Sequence, residues 1–411
     1  MRVCFLSRRF FPAISGMSVY ALNFLEELVA QGHEPVLISQ YRGDAAGTRI
    51  YGGGPPPAVR GVRVVGLEAL GEQSGGDFER DVDAMVAAVE AEHARAPFDV
   101  LHAQYAYPNG WAALIAGARL ALPVVVSIQG GDGHWVGECC ATHAEAMRRV
   151  LAGADALLIG GASFVDEVAG RLGTPRERFT IVPGAVDTRR FAPAPHRAPG
   201  SLHEPPRLLY HGRVDRRKGV LDFVDALALM RARGTRFEAT VSGIGPDLDA
   251  ARQRAAGHGL EAPQLSFTGY ADYGAVPALY AAADAFVSPT YAEGFSNTIL
   301  EAMACGLPVV SCRSVGVVDC LRDGDNGLLV EAGDVAAQAD AIERLLTDAP
   351  LRERLARDAL AECRATYGWP IVARAIVDAY GRVTAAARAP RELDASLPAA
   401  ACRFRAEPHL L

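Results

Sequence analysis

The chain has 411 residues, too many for one ordinary hydrophobic core and enough for two α/β domains. A formal net charge of -7 at pH 7 argues against a nucleic-acid binder and gives no general attraction to anionic lipid. No apolar run is long enough to span a bilayer, and residues 1–7 are typical of a first strand rather than of a signal peptide, so we expect a cytoplasmic protein without stable membrane insertion.

The first half of the chain alternates strand-like apolar runs with helical segments. Runs such as Val124-Val125-Val126 lack polar alternation, which is typical of parallel strands covered on both faces. The pattern predicts a doubly wound, Rossmann-like sheet over residues 1–190. The strand-like runs are 3–7, 35–40, 62–67, 100–104, 124–129 and 156–160.

A proline-rich stretch, residues 191–206, predicts a linker to a second Rossmann-like domain over residues 207–366. Residues 367–388 include a further helix-like segment. Residues 389–411 contain three prolines and no clear period, and we expect them to form a loose tail. The strand-like runs of the second domain are 208–211, 238–242, 265–268, 285–288, 309–312 and 328–330.

The eight cysteines are scattered, and none has C-x-x-C spacing. The adjacent pair Cys139-Cys140 does not resemble a metal-binding knuckle. The pattern favours buried thiols in a reducing compartment, and we expect no metal site.

Lys218 is the single lysine among 41 basic residues. A compact ammonium suits one charged oxygen, whereas the planar fork of arginine suits flat bidentate partners. Arg213 and Lys218 lie just ahead of a helix-like segment, where free N–H groups point outward, and they indicate a phosphate or diphosphate site. The alternative is a solvated turn.

Two carboxylates flank the start of a later predicted helix, Glu293 on the strand-to-helix loop and Glu301 two turns into the helix. A carboxylate can accept from two vicinal hydroxyls, which is a common way to hold a ribose. The N–H groups of Gly294, Phe295 and Ser296 can meet an anion or sugar hydroxyls. The alternative is an ordinary helix with a glutamate at its N-terminus and another on its polar face.

With E-x7-E inside EGFSNTILEAMACGLPVV and G-R-V-x-x-x-K-G upstream, the chain resembles family 4 of the retaining glycosyltransferases over about residues 1–385. The resemblance implies the GT-B fold, with two Rossmann-like doubly wound α/β domains facing a central cleft and the helix of residues 367–388 packing back on the first. It implies hexosyl transfer from a nucleotide-diphosphate sugar, with UDP favoured and GDP as the alternative, and no cofactor.

The same resemblance assigns roles to residues. Arg213, Lys218 and Glu293 are the predicted catalytic residues, the two cations on the diphosphate and the carboxylate beside the donor sugar, while Glu301 takes the ribose. The further donor-binding positions are Gly16, across the cleft from the diphosphate, and Gly243, Tyr270, Gly294, Phe295, Ser296 and Asn297. Since no carboxylate is clearly poised as a nucleophile, front-face transfer is favoured, in which a phosphate oxygen takes the acceptor proton.

Three Asp-x-Asp motifs, at 81–83, 247–249 and 323–325, could suggest a diphosphate bound through a metal ion. We interpret all three as solvated carboxylates and expect fixed cations to replace the metal, so transfer should be metal-independent.

Acceptor recognition is expected to fall to loops of the first domain. Gln129 stands where the family frequently has histidine, and it can hydrogen-bond a sugar but cannot shuttle protons near pH 7. His134 is either its substitute or a surface-loop histidine. Gly184 replaces a usual asparagine, and Asp319 stands where the family often has glutamate. The candidate acceptor or sugar contacts are Arg8, Tyr105, Asn109, Gln129, Asp132 and His134.

The helix-like segments 20–31 and 79–95 carry acidic or mixed polar faces, which an anionic membrane would repel. We therefore expect a soluble small-molecule acceptor, with Arg8-Arg9 leaving a phosphorylated one open. A membrane lipid-linked or polysaccharide acceptor is the alternative.

Two other functions stay open. One is a GT-B sugar-nucleotide epimerase, which the E-x7-E helix and the glycine-rich lysine motif disfavour. The other is a non-catalytic sugar-nucleotide-binding protein, which the presence of all four predicted charged residues disfavours and slow donor hydrolysis would exclude.

Overall fold

The computed structural model describes residues 1–13, 15–45, 53–195, 201–385 and 388–402, without the side chains of Asp132 and Trp135. The chain forms two compact units. The first unit contains Met1–Pro183 and Trp369–Leu411, and the second contains Gly184–Gly368.

The division between the units differs from the prediction, which ended the first domain at residue 190. Residues 184–190 cluster with the second unit, because Val186 and Phe191 are buried in its core and the Val186 N–H donates to the Tyr367 carbonyl at 2.9 Å. The proline-rich stretch therefore begins inside the second unit instead of separating two domains.

The first unit is built on a seven-stranded parallel sheet in the order β3-β2-β1-β4-β5-β6-β7. Every residue of β4 and β5 is buried, as expected for parallel strands with helices on both faces. The edge strand β7 was not predicted, since it has three residues and none of them is fully buried. The strands are β1 (Arg2–Ser7), β2 (Glu34–Tyr41), β3 (Arg63–Glu68), β4 (Val100–Gln104), β5 (Val124–Ile128), β6 (Ala156–Ile159) and β7 (Phe179–Ile181).

The described helices of the first unit lie between these strands, except between β2 and β3. They are α1 (Gly16–Ala30), α2 (Leu70–Gln73), α3 (Phe78–Arg95), α4 (Trp111–Leu120), α5 (Gly130–Trp135), α6 (Ala141–Gly153) and α7 (Ala162–Leu172).

The second unit has a six-stranded parallel sheet in the order β10-β9-β8-β11-β12-β13. The predicted strand-like runs coincide with its strands to within a residue at either end. The strands are β8 (Arg207–His211), β9 (Glu238–Ser242), β10 (Leu265–Gly269), β11 (Ala285–Ser288), β12 (Val309–Cys312) and β13 (Leu328–Val330). The helices are α8 (Val220–Ala232), α9 (Leu248–Gly257), α10 (Val276–Ala281), α11 (Asn297–Ala304), α12 (Val335–Thr347) and α13 (Ala349–Thr366).

The chain then returns to the first unit through α14 (Trp369–Thr384). Trp369 packs edge-on against Tyr20 of α1, with ring centroids 4.9 Å apart. Further along α14, the Tyr380 hydroxyl bonds Nδ1 of His102, a buried strand residue whose pKa burial lowers to about 3. An uncharged imidazole thus helps to seat the helix on the sheet.

The tail that follows is not loose as far as residue 402, which contradicts the prediction. The Arg391 N–H donates to the Ala118 carbonyl at 2.9 Å, and the Thr142 hydroxyl donates to the Pro398 carbonyl at 2.6 Å. Residues 403–411 of the predicted tail lie outside the described residues. Among the described residues, no helix has both the length and the apolar character needed to cross a membrane.

Candidate active site

The second unit has one place where the strand order reverses, between β8 and β11. Connections from these neighbouring strands leave toward opposite faces of the sheet, so a crevice opens at their carboxyl ends, where ligands bind in doubly wound folds. Residues 212–219 follow β8, and residues 289–296 follow β11. Both segments singled out in the sequence therefore lie at this crevice.

The structure brings Lys218 and Glu293 together across the crevice. Lys218 Nζ lies 2.7 Å from Glu293 Oε1 and donates to the Ala292 carbonyl at 3.3 Å. The two side chains are 32% and 18% exposed, so the pair is held by the protein yet open to a ligand. The single lysine is therefore ion-paired and half-buried rather than fully solvated.

Arg213 lies on the same segment with a 43% exposed side chain, and its Nε is 3.3 Å from Asp215 Oδ2. Asp215 is buried and binds Arg217 at 2.7 Å. Burial raises the pKa of Asp215, but hydrogen bonds from Arg217 and the charges of Arg217 and Arg213 outweigh it and lower the pKa overall. An ionised Asp215 therefore shapes the segment that presents Arg213.

Close backbone contacts explain two glycines at the crevice. Gly243 has φ +143°, and a Cβ there would lie 1.8 Å from the Gly212 carbonyl oxygen. Gly219 has φ +71°, and a Cβ there would lie 2.0 Å from the Pro289 carbonyl oxygen. Only glycine combines these dihedral angles with this proximity, so the segments after β8, β9 and β11 can touch.

Glu301 is buried in the second turn of α11, which begins at Asn297. The Tyr280 hydroxyl donates to Glu301 Oε2 at 2.8 Å. Burial raises the pKa of Glu301 to about 7, although the Tyr280 hydrogen bond and the Arg190 charge act in the opposite direction. Sequence reasoning did not single out Tyr280.

A partly buried histidine also borders this cluster and was missed. His211, the last residue of β8, packs edge-on against the Tyr280 ring at 5.8 Å, and its Nδ1 is 3.2 Å from the Ser242 hydroxyl. Burial lowers the pKa of His211 to about 4, so it is neutral at pH 7. Its position between strand end and glycine-rich segment was the only available signal.

The start of α11 is packed tightly by its neighbours. The Phe295 ring packs against the Tyr367 ring, with centroids 5.6 Å apart. A Cβ on Gly184 would lie 2.6 Å from Phe295 Cδ1 and 3.0 Å from Asn297 Oδ1. The glycine that stands at the family's usual asparagine position thus makes room for Phe295. Ser296 is the N-cap residue and is buried, but its side chain makes no cap hydrogen bond to the helix.

The structure places Tyr270 differently from the other donor-side candidates. Tyr270 directly follows β10, the edge strand of the sheet, and is largely exposed. It is therefore two strands away from β8, whereas Gly294 follows Glu293 directly in the crevice.

In the first unit, the structure contradicts Arg8 as an acceptor contact. Arg8 is 2% exposed, and its Nη2 lies 3.0 Å from Glu72 Oε2, with Arg9 and Arg42 on Oε1 of the same carboxylate. Burial raises the pKa of Glu72, but the charges of Arg8 and Arg9 outweigh it and hold the pKa at about 2. Arg8 belongs to a buried ion network that holds the loop after β1.

Asn109 and His134 are also buried and bonded within the first unit. Asn109 is fully buried, and its amide donates to the Gln104 carbonyl at 2.6 Å. His134 lies in α5 and is buried, with Nδ1 2.6 Å from Glu167 Oε1 and its ring against Phe164. His134 is thus not a surface-loop histidine.

Three first-unit candidates lie at carboxyl ends of strands and keep part of their surface. Tyr105 follows β4 with a left-handed φ of 78°, and Gln129 follows β5 and accepts from Gln104 Nε2 at 3.3 Å. Gly16 begins α1, where a Cβ would meet nothing within 4 Å, so the packing there does not itself require glycine. The Asp132 side chain lies outside the described part of the chain.

The Asp-x-Asp strings are not all solvated. Asp81 is buried and accepts the Gly71 and Glu72 N–H groups, each at 2.7 Å. Asp247 is buried and pairs with Arg216 at 2.7 Å. Both aspartates hold loops in place, so the expectation of solvated carboxylates was wrong for these two.

Two doubly wound α/β sheets in one chain, with a charged crevice at the strand-order reversal of the second, define a GT-B glycosyltransferase architecture. Two family models match the chain: "Glycosyl transferase 4-like domain" at residues 15–185 and "Glycosyl transferases group 1" at residues 205–348. The chain belongs to the family 4 glycosyltransferases, as the sequence motifs predicted.

Its relatives include enzymes with different acceptors. The chain is 30% identical to D-inositol 3-phosphate glycosyltransferase of Geodermatophilus obscurus, over 89% of this chain and 84% of that protein. It is 28% identical to glycogen synthase of Mycobacterium tuberculosis, over 97% of this chain and 98% of that protein.

Solved structures show the same fold at low identity. Sucrose-phosphate synthase of Thermosynechococcus elongatus superposes with a TM-score of 0.76 at 21% identity, covering 93% of this chain and 99% of that one. The Anabaena protein HepE in complex with UDP-glucose superposes with a TM-score of 0.70 at 19% identity, covering 93% of this chain and 100% of that one.

Proposed function

We propose that this protein is a retaining glycosyltransferase that moves a sugar from a UDP-sugar to a soluble small-molecule acceptor without a metal ion. The observation that carries the proposal is the Lys218–Glu293 pair at 2.7 Å, beside Arg213, where the strand order of the second unit reverses. The preference for UDP is supported by HepE, which was solved with UDP and with UDP-glucose.

Lys218 and Arg213 are the groups that bind the donor diphosphate in this proposal. A lysine ammonium has three N–H groups, and Glu293 and the Ala292 carbonyl take two of them. The third donates to a phosphate oxygen, and Arg213 adds a second fixed cation. Charge arranged in advance around a leaving group is usually the largest contribution to catalysis.

The transfer step is a front-face displacement. The bond between the anomeric carbon and the β-phosphate oxygen breaks, and the acceptor oxygen forms its bond to the same face of that carbon. The acceptor proton passes to a phosphate oxygen of the leaving diphosphate, whose charge Arg213 and Lys218 stabilise. Glu293 holds Lys218 in position and faces the donor sugar, and the anomeric configuration is retained.

Glu301 is the ribose-binding residue in this proposal. Tyr280 fixes the carboxyl by donating to Oε2, which leaves further acceptor positions on both oxygens for vicinal hydroxyls. The backbone of Gly294 to Asn297 at the start of α11 contributes donors to the sugar hydroxyls, and Gly243 provides close backbone approach. Gly16 is assigned to the diphosphate and Tyr270 to the nucleotide side by family resemblance.

The acceptor proposal rests on the first unit. Tyr105 and Gln129, at the ends of β4 and β5, are the polar contacts we assign to a hydroxylated acceptor. Because Arg8 is buried against Glu72, a phosphorylated acceptor would need other cations than the ones that the sequence offered. The D-inositol 3-phosphate glycosyltransferases among the relatives act on a small polar acceptor, whereas glycogen synthase, by its name, builds a polymer.

The test is a donor and acceptor screen on the purified full chain. UDP-glucose, UDP-galactose, UDP-N-acetylglucosamine and GDP-mannose are incubated with inositol, inositol 3-phosphate, maltooligosaccharides and a small-molecule extract, with products followed by mass spectrometry. We expect one UDP-sugar to be consumed and NMR to show the donor's anomeric configuration in the product. An inverted product, an epimerised donor, or failure to hydrolyse or transfer from any donor would each contradict the proposal.

A further inference from the structure

Four metal-binding side chains meet in the first unit, whereas Lys218, Arg213 and Glu293 belong to the second. Cys139 and Cys140 precede α6, His143 lies in its first turn, and Cys402 lies in the C-terminal tail. Their ligand atoms, three sulfurs and one imidazole nitrogen, all lie within 4.8 Å of one another. His143 Nδ1 is 3.0 Å from Cys139 Sγ and 3.5 Å from Cys402 Sγ.

These separations match a tetrahedral zinc centre. Zinc lies about 2.3 Å from thiolate sulfur and about 2.0–2.1 Å from imidazole nitrogen, so neighbouring ligand atoms of a tetrahedron are roughly 3.5–4 Å apart. Shifts of a few tenths of an ångström to about one ångström bring the four atoms to that spacing. We propose that Cys139, Cys140, His143 and Cys402 bind one Zn²⁺ and that this ion fastens the C-terminal tail to the first unit.

The local structure positions the ligands for this role. The His143 ring packs against Tyr107, with centroids 4.5 Å apart, and against Phe78 on a neighbouring helix. The backbone N–H of His143 points at Cys140 Sγ, which is the N-cap of α6.

The ligand set identifies both the metal and its role. Three thiolates and one imidazole are soft and borderline donors that select zinc over magnesium, calcium or manganese. Four protein ligands fill a tetrahedral shell and leave no position for substrate or water, which is typical of structural zinc. This site is therefore separate from the metal independence proposed for sugar transfer.

A metal bound by Cys402 would add to the hydrogen bonds that already hold the tail on the first unit. Within the described residues, the tail is attached mainly through backbone groups: Arg391 to Ala118, Pro398 to Thr142, and Asp394 to Arg149. A cavity of about 400 Å³ lies between the tail and the helices, lined by Tyr107, Trp111, Leu397 and Pro398 among others. A metal bound by Cys402 and three residues of the body closes the tail over this cavity.

The first experiment measures metal in the untagged full chain purified under reducing conditions. We expect inductively coupled plasma mass spectrometry to find one zinc ion per chain. After exchange, Co²⁺ should give the strong visible bands and the thiolate charge-transfer absorption of a tetrahedral site. Cys402→Ala should weaken Zn²⁺ binding at least 100-fold in competition with a chromophoric chelator, whereas Cys305→Ala, a control at a cysteine of the second unit, should not change it.

The second experiment follows the tail itself. Trypsin can cut after Arg388 and Arg391, and we expect the zinc-loaded chain to resist cutting there while the chelated chain and Cys402→Ala are cut readily. Three results would each overturn the proposal. The first is full zinc affinity in Cys402→Ala, and the second is the absence of both stoichiometric zinc and the tetrahedral Co²⁺ spectrum. The third is a disulfide from Cys402 to Cys139 or Cys140, found by alkylation of the unreduced chain. None of these measurements depends on glycosyl transfer.

Discussion

The two units carry doubly wound sheets of the same kind, but their polar residues at the ends of the strands have different environments. In the second unit, Lys218, Glu293 and Arg213 are paired yet partly exposed at the strand-order reversal. In the first unit, Arg8 and Asn109 follow the corresponding central strands and are buried and bonded within the protein. The same place in the topology thus supports either ligand chemistry or loop structure, and burial decides which.

Two buried carboxylates make the difference quantitative. Glu72 in the first unit is surrounded by arginines and its pKa falls to about 2, whereas Glu301 in the second unit has one hydroxyl donor and its pKa rises to about 7. A carboxylate that is fully paired stabilises the fold at neutral pH, while an underpaired one costs stability and is kept where a ligand can supply the missing partners.

Replacing Arg8 tests the structural side of the comparison. We expect Arg8→Met to lower the free energy of unfolding of the first unit by about 3–5 kcal/mol, because it removes one partner from a buried ion pair. Urea unfolding measures the loss. The control is Arg63→Met, which removes a largely exposed partner of Glu92 and should cost much less because solvent screens that pair. If Arg8→Met leaves stability unchanged and raises the KM for the acceptor, Arg8 takes part in acceptor binding instead.

Replacing Lys218 tests the functional side. We expect Lys218→Arg to lower kcat/KM about 10²–10³-fold, as for removal of one preorganised donor, because a planar fork cannot repeat the point contact of an ammonium. The thermal unfolding midpoint should stay near that of the wild type. The control is Arg216→Lys, a change at an exposed residue two positions away, which should keep the activity. If Lys218→Arg has near wild-type kcat/KM, the ammonium of the single lysine is not required for transfer.

The pKa of Glu301 predicts a pH dependence of stability. Its folded pKa of about 7 exceeds the ordinary 4.5, so the folded state binds the proton more tightly than the unfolded state does. The unfolding free energy should therefore fall as pH rises between these values, by roughly 3 kcal/mol in total. Denaturant unfolding of the wild type and of Glu301→Gln is measured between about pH 5 and pH 8, and only the wild type should show this decline. If the unfolding free energies of the two proteins change with pH in parallel, Glu301 keeps its ordinary pKa.

Binding of free UDP tests the proposed ribose contact. We expect Glu301→Ala to weaken UDP binding by about 1.5–3 kcal/mol, the range for hydrogen bonds to a charged group. Calorimetry measures the affinity, and Glu261→Ala, at an exposed glutamate of the same unit, is the control. Equal affinity in wild type and Glu301→Ala would remove Glu301 from the ribose.

The smallest expected effect is that of chelators on turnover. EDTA should leave donor hydrolysis and transfer unchanged, because Arg213 and Lys218 supply the positive charge that a metal would otherwise bring. A rate that EDTA abolishes and that Mg²⁺ or Mn²⁺ restores would show that the diphosphate is bound through a metal.

The sequence by itself predicted most strands of this protein and the position of the candidate site in its second unit. Continuous apolar runs predicted all the strands except β7, an edge strand of three residues with an exposed Ile181. Lys218, Glu293 and Glu301 lie in segments that directly follow or enter these elements. Their positions could be predicted because strand and helix periods and their stop signals are local properties of the chain.

Only the tertiary structure decided which polar residues are buried and which distant segments meet. The burial of Arg8, Asn109 and His134 depends on the loops and helices that cover them, which no local pattern records. The boundary after Pro183 and the ordered tail likewise follow from contacts between remote segments. Cys139 and Cys402 are far apart in the chain and close in space, because the tail packs on the first unit; no spacing in the sequence indicates their proximity.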